Sequence, residues 1–150
     1  SEDVLFVKRE LEKRSRGFTL PKIIAKIEDP VGIKNLPDII EDLRRAGTEL
    51  MVMLGRGDLF VEAQKHKLAV LQKESIGICK KLNTPVIVAT GLLESMQFNP
   101  YPTRSEVCDV TNSVLDEPDW LMLSAETSNS SFPIEAVKML QSIIKECEKI

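Results

Sequence analysis

Lys22-Ile-Ile-Ala-Lys-Ile-Glu28 is the segment from which the rest of this chain is most easily understood. Ile23, Ile24, Ala25 and Ile27 make it almost continuously apolar, the pattern of a parallel strand covered on both faces. Lys26 and Glu28 break that run at its C-terminal end. They stand two residues apart, so on a strand with a side-chain period of two they project to the same side. A cation and a carboxylate leaving an apolar strand together need a partner or a ligand, because an unpaired buried charge is costly. A mutual salt bridge and a shared ligand both meet that need, and this segment alone leaves the two open.

The same design recurs three times downstream. Leu50 to Leu54 runs directly into Gly55-Arg-Gly-Asp58, Val86 to Ala89 ends at Thr90-Gly91, and Trp120 to Leu123 ends at Ser124-Ala-Glu-Thr127. Amphipathic helices fill the intervals. Leu36 to Ala46 carries Leu36, Ile39, Ile40 and Leu43 on one face, with Pro37 in its first turn and Gly47 as its stop. A longer helix over Lys65 to Leu82 turns Leu68, Leu71, Ser75, Cys79 and Leu82 inward. Thr103 with Glu106 three residues on is a capping box for a helix striped by Val107, Val110 and Val114. Pro133 opens the last helix, with Val137, Leu140, Ile144 and Cys147 on one face, and Glu2 to Lys13 forms an opening helix for which Ser1 is the expected N-cap. Asp29-Pro30 ends the first strand.

Strands and helices therefore alternate, with strands recurring at roughly 30 to 35 residues, the length of one βα unit. That order implies right-handed crossovers and a parallel sheet, in a doubly wound fold or part of a (β/α)8 barrel. Every candidate functional group sits at a strand's C-terminal end, where both architectures place their chemistry. No GxGxxG or P-loop occupies the first βα turn, which disfavours a nucleotide-binding doubly wound sheet. The expectation is a partial TIM (β/α)8 barrel of about four parallel strands and five flanking helices, spanning residues 1–150 as a single segment.

Composition narrows the function. The chain has 150 residues, 43% hydrophobic and 29% charged, within the globular range. A net charge of -3 and an isoelectric point near 5.3, without a basic run, exclude a general nucleic-acid binder. Cys79, Cys108 and Cys147 lack metal-ligand spacing and read as buried free thiols of a reducing compartment. His66, among lysines on a polar helical stretch, reads as solvated. No run approaches the length of a membrane span, and the opening residues do not read as a signal peptide.

Four neighbouring strand ends would present a coherent set of groups. Glu28 and Asp58 are hard oxygen ligands suited to Mg2+ or Mn2+, which bind through one or two carboxylates plus substrate oxygens and water. Lys26 adds a point cation. Gly55 and Gly57 allow backbone amides to approach a small anion, and Thr90 offers a hydroxyl. Together these suit an oxyacid bearing a phosphate or an enolate. Each piece alone has a plainer reading: GRGD as turn chemistry, Thr103 as a helix start, Ser124 to Thr127 as a solvated strand end.

KIIAKIED, GRGDLFVE, PVIVATGLLESM, PYPTRSEVCDVTNSVLDEPDWLMLSAET and FPIEAVKML, in this order and spacing, resemble pyruvate kinase from Ser1 to the end of the chain. The resemblance implies the second half of that family's catalytic barrel, strands five to eight, and a role in glycolysis. It implies that Lys26 neutralises the phosphoryl group in flight and that Glu28 and Asp58 bind the Mg2+ (or Mn2+) shared with the enolate. It further implies that Gly55, Arg56, Gly57 and Asp58 form the loop whose amides hold the phosphoenolpyruvate carboxylate, and that Thr90 stands near the enolate carbon. The implied reaction converts phosphoenolpyruvate and ADP to pyruvate and ATP. K+ is expected for the family, with its ligands outside this chain, as are strands one to four, the lid domain and the C-terminal effector domain.

The pattern departs from the family at several points. Gly55 stands where alanine is usual, Gly91-Leu92 where Gln-Met is usual, and Ala63-Gln64 where Ile-Pro is usual. Ala125 to Ser130 read Ala-Glu-Thr-Ser-Asn-Ser in place of Gly-Glu-Thr-Ala-Lys-Gly. The expected setting is cytoplasmic, with a plastid as the alternative, and the expected partners are the remainder of the barrel or another copy, neither nucleic acid nor membrane. The isolated chain is expected to be inactive. The alternatives are a degenerate relative with a structural or regulatory role and, more remotely, a metal-dependent pyruvate aldolase of similar barrel, against which Lys26 counts.

Overall fold

The computed structural model describes residues 2–15 and 17–150. The proposed Ser1 cap lies outside them. In order, the elements are α1 (Glu2–Arg14), β1 (Ile23–Ile27), α2 (Pro30–Lys34), α3 (Leu36–Arg45), β2 (Leu50–Gly55) and α4 (Arg56–Glu62). A 3-10 turn, Lys65–Lys67, leads into α5 (Leu68–Lys81) and β3 (Val86–Ala89). A second 3-10 turn, Glu94–Gln97, precedes α6 (Arg104–Leu115), β4 (Trp120–Met122), α7 (Ala125–Ser128) and α8 (Pro133–Cys147).

The strands form one sheet in sequential order, β1-β2-β3-β4, every pair parallel. Sequential order with a helical crossover at each step is how a (β/α) barrel is laid down. The flanking helices number eight among the described residues rather than the five expected. The three additions are short. α2 begins where Asp29 accepts the Gly32 amide at 2.8 Å and Pro30 takes the first helical position. α4 starts at Arg56 with no loop after β2, and α7 is one turn after β4. The helix expected from Lys65 resolves into a 3-10 turn and α5, with His66 exposed.

The outer face of the sheet carries the larger core. Ile27, Val52, Leu54, Val86 and Val88 pack against Ile33, Leu36, Ile39, Ile40 and Leu43 of α2 and α3, Leu59 of α4, and Ile76 and Cys79 of α5. A second cluster lies under α6 and α8, built from Leu92, Leu93, Met96, Val110, Ala136, Leu140, Ile143 and Cys147. Leu121 touches both.

Coverage of both faces holds for β3, whose four residues are all buried, and fails for β1. In β1, Ala25 and Ile27 are buried against the helices while Ile24 and Lys26 on the opposite face are exposed. Four strands curve without closing, so the inner face of an edge strand has nothing packed against it. Cys79 and Cys147 are buried as expected, but Cys108 is exposed because it faces outward on α6. Burial and the negative charge of Asp119 push the Cys79 thiol up to about 12.

Candidate active site at the strand ends

Parallel strands bring all four C-terminal ends to one edge of the sheet. At the end of β1, Lys26 Nζ lies 2.6 Å from Glu28 Oε1, a salt bridge between side chains that project to the same side as the period of two requires. Their side chains are 51% and 32% exposed, so the pair stands at the mouth rather than in the core. The hydrogen bond from Glu28 raises the Lys26 pKa above its ordinary value; partial burial opposes the shift, and the charges of Glu28 and Asp58 reinforce it.

Gly55, the last residue of β2, makes room for this arrangement. A methyl group at Gly55 would lie 2.7 Å from Glu28 Oε1 and 2.9 Å from its Cγ. The Glu28 side chain therefore rests across the bare backbone of Gly55, an approach only glycine allows without a shift. Asp58 follows as an exposed residue in the first turn of α4, and it lines one open cleft with Glu28, Asp29, Pro30, Val31 and Glu62. Asp29 is occupied as the α2 cap. Glu62, which is not among the expected site residues, joins the cleft because it lies four residues from Asp58 on the same helical face; that spacing is its sequence signal. Two hard carboxylates facing an open cleft fit a divalent cation that takes its other ligands from substrate and water. No group of three or more potential metal ligands occurs among the described residues.

Thr90 closes β3 in an unusual conformation, with φ at +77°. A β-branched residue in the left-handed region is strained by about 1–3 kcal/mol and persists where its surroundings impose it. Gly57 lies directly against it: a Cβ there would be 3.2 Å from Thr90 Cγ2.

Arg56 does not reach into the cleft. It is 6% exposed, and its guanidinium donates to the carbonyls of Thr90 (3.0 Å) and Gly91 (2.8 Å), to both Asp109 carboxylate oxygens (3.1 and 2.8 Å) and to Gln72 Oε1 (3.2 Å). Glu126, buried to 1%, accepts from the amides of Leu92 (3.2 Å) and Leu93 (3.1 Å) through Oε1, and from Ser124 (2.8 Å) through Oε2. The plainer alternative for Ser124 to Thr127, a solvated strand end, does not hold for Glu126, whose buried role has no local signal in that segment. The signal for the network was Gln72 and Ser113, two polar residues on inward helical stripes, both of which prove buried.

The family defined as pyruvate kinase, barrel domain, matches residues 1–137. The chain belongs to the pyruvate kinase family. It is 43% identical over 148 residues to the pyruvate kinase of Thermotoga maritima, covering 99% of this chain and 30% of that protein. Against a human pyruvate kinase the identity is 42% over 148 residues, covering 99% and 24%. The crystal structure of a pyruvate kinase from Cryptosporidium parvum superimposes with a TM-score of 0.89 at 36% identity, covering 99% of this chain and 30% of that one. The chain thus spans less than a third of the length of these relatives. Its four-stranded sheet is accordingly a part of the pyruvate kinase barrel. Among the residues expected to act in a pyruvate kinase site, Glu28 and Asp58 share one cleft, Lys26 is paired to Glu28, and Thr90 stands at the end of β3 against Gly57. The Arg56 side chain is turned into the protein, which leaves only its backbone facing the loop.

Proposed function

We propose that this chain supplies the metal- and enolate-handling half of a pyruvate kinase site, for phosphoryl transfer from phosphoenolpyruvate to ADP giving pyruvate and ATP. The observation that supports it is the gathering of Lys26, Glu28 and Asp58 at one mouth, with Thr90 two strands from Lys26 on the same edge. Mg2+ or Mn2+ held by Glu28 and Asp58 would supply positive charge to the enolate oxygen and carboxylate of the substrate. Lys26, its pKa raised, is protonated throughout the neutral range and balances negative charge on the phosphoryl group as the bond to the enolate oxygen breaks and the bond to ADP forms. The Lys26 ammonium uses one of its three donors on Glu28 Oε1, so Glu28 Oε2 would be available to a divalent cation and the other two ammonium donors to the phosphoryl group.

The first-turn amides of α4 have no intrahelical acceptor, and no side chain caps them, which suits Gly57 and Asp58 to receive the substrate carboxylate. Thr90 handles the proton delivered to the enolate carbon as pyruvate forms. Positioning and charge neutralisation supply most of the rate, as is general for phosphoryl transfer.

Mn2+ titration followed by electron paramagnetic resonance tests the metal assignment. Asp58→Asn should weaken binding at least about tenfold, the equivalent of roughly 1.4 kcal/mol; equal binding by the two proteins would sink it. Lys26 is tested with residues 1–150 exchanged into the Thermotoga maritima relative. There Lys26→Met should lose phosphoryl transfer and keep solvent proton exchange on pyruvate, because enolate formation needs only the metal half of the site. Parallel loss of both would make Lys26 structural.

A further inference from the structure

We infer that Arg56 and Glu126 act as a pair of oppositely charged positioning residues that hold Thr90 in its left-handed conformation and so aim its hydroxyl at the reacting carbon. This rests on the assignment of Thr90 proposed above. Four consecutive residues at the end of β3 are each held by one of the two charges. The cation takes the carbonyls of Thr90 and Gly91, and the anion takes the amides of Leu92 and Leu93. Thr90 and Gly91 have φ of +77° and +65°, so the two residues whose carbonyls Arg56 grips are the two with positive φ, a conformation that strains the β-branched Thr90 and that Gly91 adopts freely.

The grip comes from both flanks. Arg56 is the first residue after β2 and Glu126 the second of the turn that follows β4, so the strands either side of β3 each send one charge inward. Both are almost wholly buried, an expensive placement unless every donor and acceptor is used. Arg56 meets this with the Asp109 carboxylate, Gln72 and Ser113 behind it, the last at 3.4 Å. Glu126 meets it with three backbone amides. Gln72 is itself fixed by Ser113 (3.2 Å) and Asp116 (3.0 Å), so α5 and α6 brace the guanidinium. Arg56 at this place needs its planar fork, since a lysine ammonium cannot span two carbonyls and a carboxylate.

The test reads the backbone and the chemistry separately. On the isotope-labelled chain, Arg56→Lys and Glu126→Gln should remove the positive-φ coupling and shift signature of Thr90. They should also speed amide exchange at Leu92 and Leu93 about tenfold or more, the effect of losing one charge-assisted hydrogen bond. Mn2+ affinity should stay within about twofold, which global loosening of the mouth would not allow. With residues 1–150 exchanged into the Thermotoga maritima relative, the same variants should slow pyruvate proton exchange toward the Thr90→Ala rate while KM for phosphoenolpyruvate stays within about twofold. If Arg56→Lys does not fold, Asp109→Asn carries the same test, because it removes the charge that fixes the guanidinium at a 45% exposed position while the asparagine carbonyl still accepts from Arg56. Thr90 keeping its conformation in these variants would overturn the inference, as would wild-type proton exchange in variants that have lost it. A Thr90→Ala protein with wild-type exchange would instead overturn the assignment of Thr90 to the reaction, with the backbone result still showing whether the two charges set its conformation.

Discussion

The missing Cβ at Gly55 sets where the Glu28 carboxylate lies, and through it the upward shift of the Lys26 pKa. Gly55→Ala would place a methyl group within 3 Å of the Glu28 side chain, but what it meets is the end of a flexible chain, and the φ of -83° at Gly55 suits any residue. The variant should stay folded, with stability changed by no more than about 1 kcal/mol, while Glu28 swings off Lys26. Because Glu28 is the leading cause of the raised Lys26 pKa, that pKa should fall back toward the ordinary 10.5. For a group whose folded pKa is raised, the stabilisation is complete below the unfolded value and is lost as pH climbs through the folded one. Stability above pH 10.5 should therefore fall less steeply in Gly55→Ala than in the parent. Following the Lys26 ε-methylene carbon by NMR checks this, and an unchanged titration would remove Glu28 as the cause. The common side of Lys26 and Glu28 was legible because it depends only on the strand period. The contact with Gly55 was not, because it depends on the β1–β2 register, and neither was the left-handed Thr90, since a β-branched residue gives no local signal for it.

Legibility among the elements followed length and caps. α3 and α6 were readable because Pro37, Gly47 and the Thr103–Glu106 box mark their ends and several turns give the apolar stripe a period. α2, α4 and α7, at five, seven and four residues, are too short for a stripe and exist because the chain leaves each strand end in a helical turn. The capping box does more than start α6. Thr103 Oγ1 accepts the Glu106 amide at 3.2 Å, and the Glu106 carboxylate accepts from the Thr103 amide (2.7 Å) and from the Ser95 amide (2.7 Å) and hydroxyl (2.5 Å). It thus ties the Glu94–Gln97 turn, just beyond the Thr90 segment, to the helix. Burial pushes the Glu106 pKa up, but the hydrogen bonds from Ser95 and then Thr103 outweigh it and leave the value below 4.5. A depressed carboxylate stabilises above its unfolded pKa and loses that contribution as pH falls through the folded one. Thr103→Ala should cost about 1 kcal/mol at neutral pH, and Glu106→Gln about 1–3 kcal/mol. Urea unfolding at neutral pH and well below pH 4.5 would show the Glu106→Gln deficit shrinking in acid; a deficit independent of pH would mean the charge contributes nothing.

At the scale of the whole molecule the decisive feature is the inner face of the sheet. A continuous apolar β1 suggested a strand covered on both sides, and counting βα units suggested half a barrel; the two expectations conflict unless other strands supply the cover. Ile24 is 47% and Trp120 50% exposed, at the two edge strands of a sheet whose helices lie on its other face. A parallel sheet is stable in solution when both faces are covered, and uncovered edge strands invite pairing. The chain also spans less than a third of its pyruvate kinase relatives. The chain by itself should therefore show no turnover in a lactate dehydrogenase-coupled assay with phosphoenolpyruvate, ADP and Mg2+. The single Trp120 reports the physical reason directly, because it lies on the uncovered face. Its emission should be that of a water-exposed indole in the chain alone, and should shift to the blue when residues 1–150 are placed in the Thermotoga maritima barrel. Activity should appear in the same sample. Clear turnover by the lone chain, with Trp120 already blue-shifted, would mean that copies of the chain close the barrel on one another.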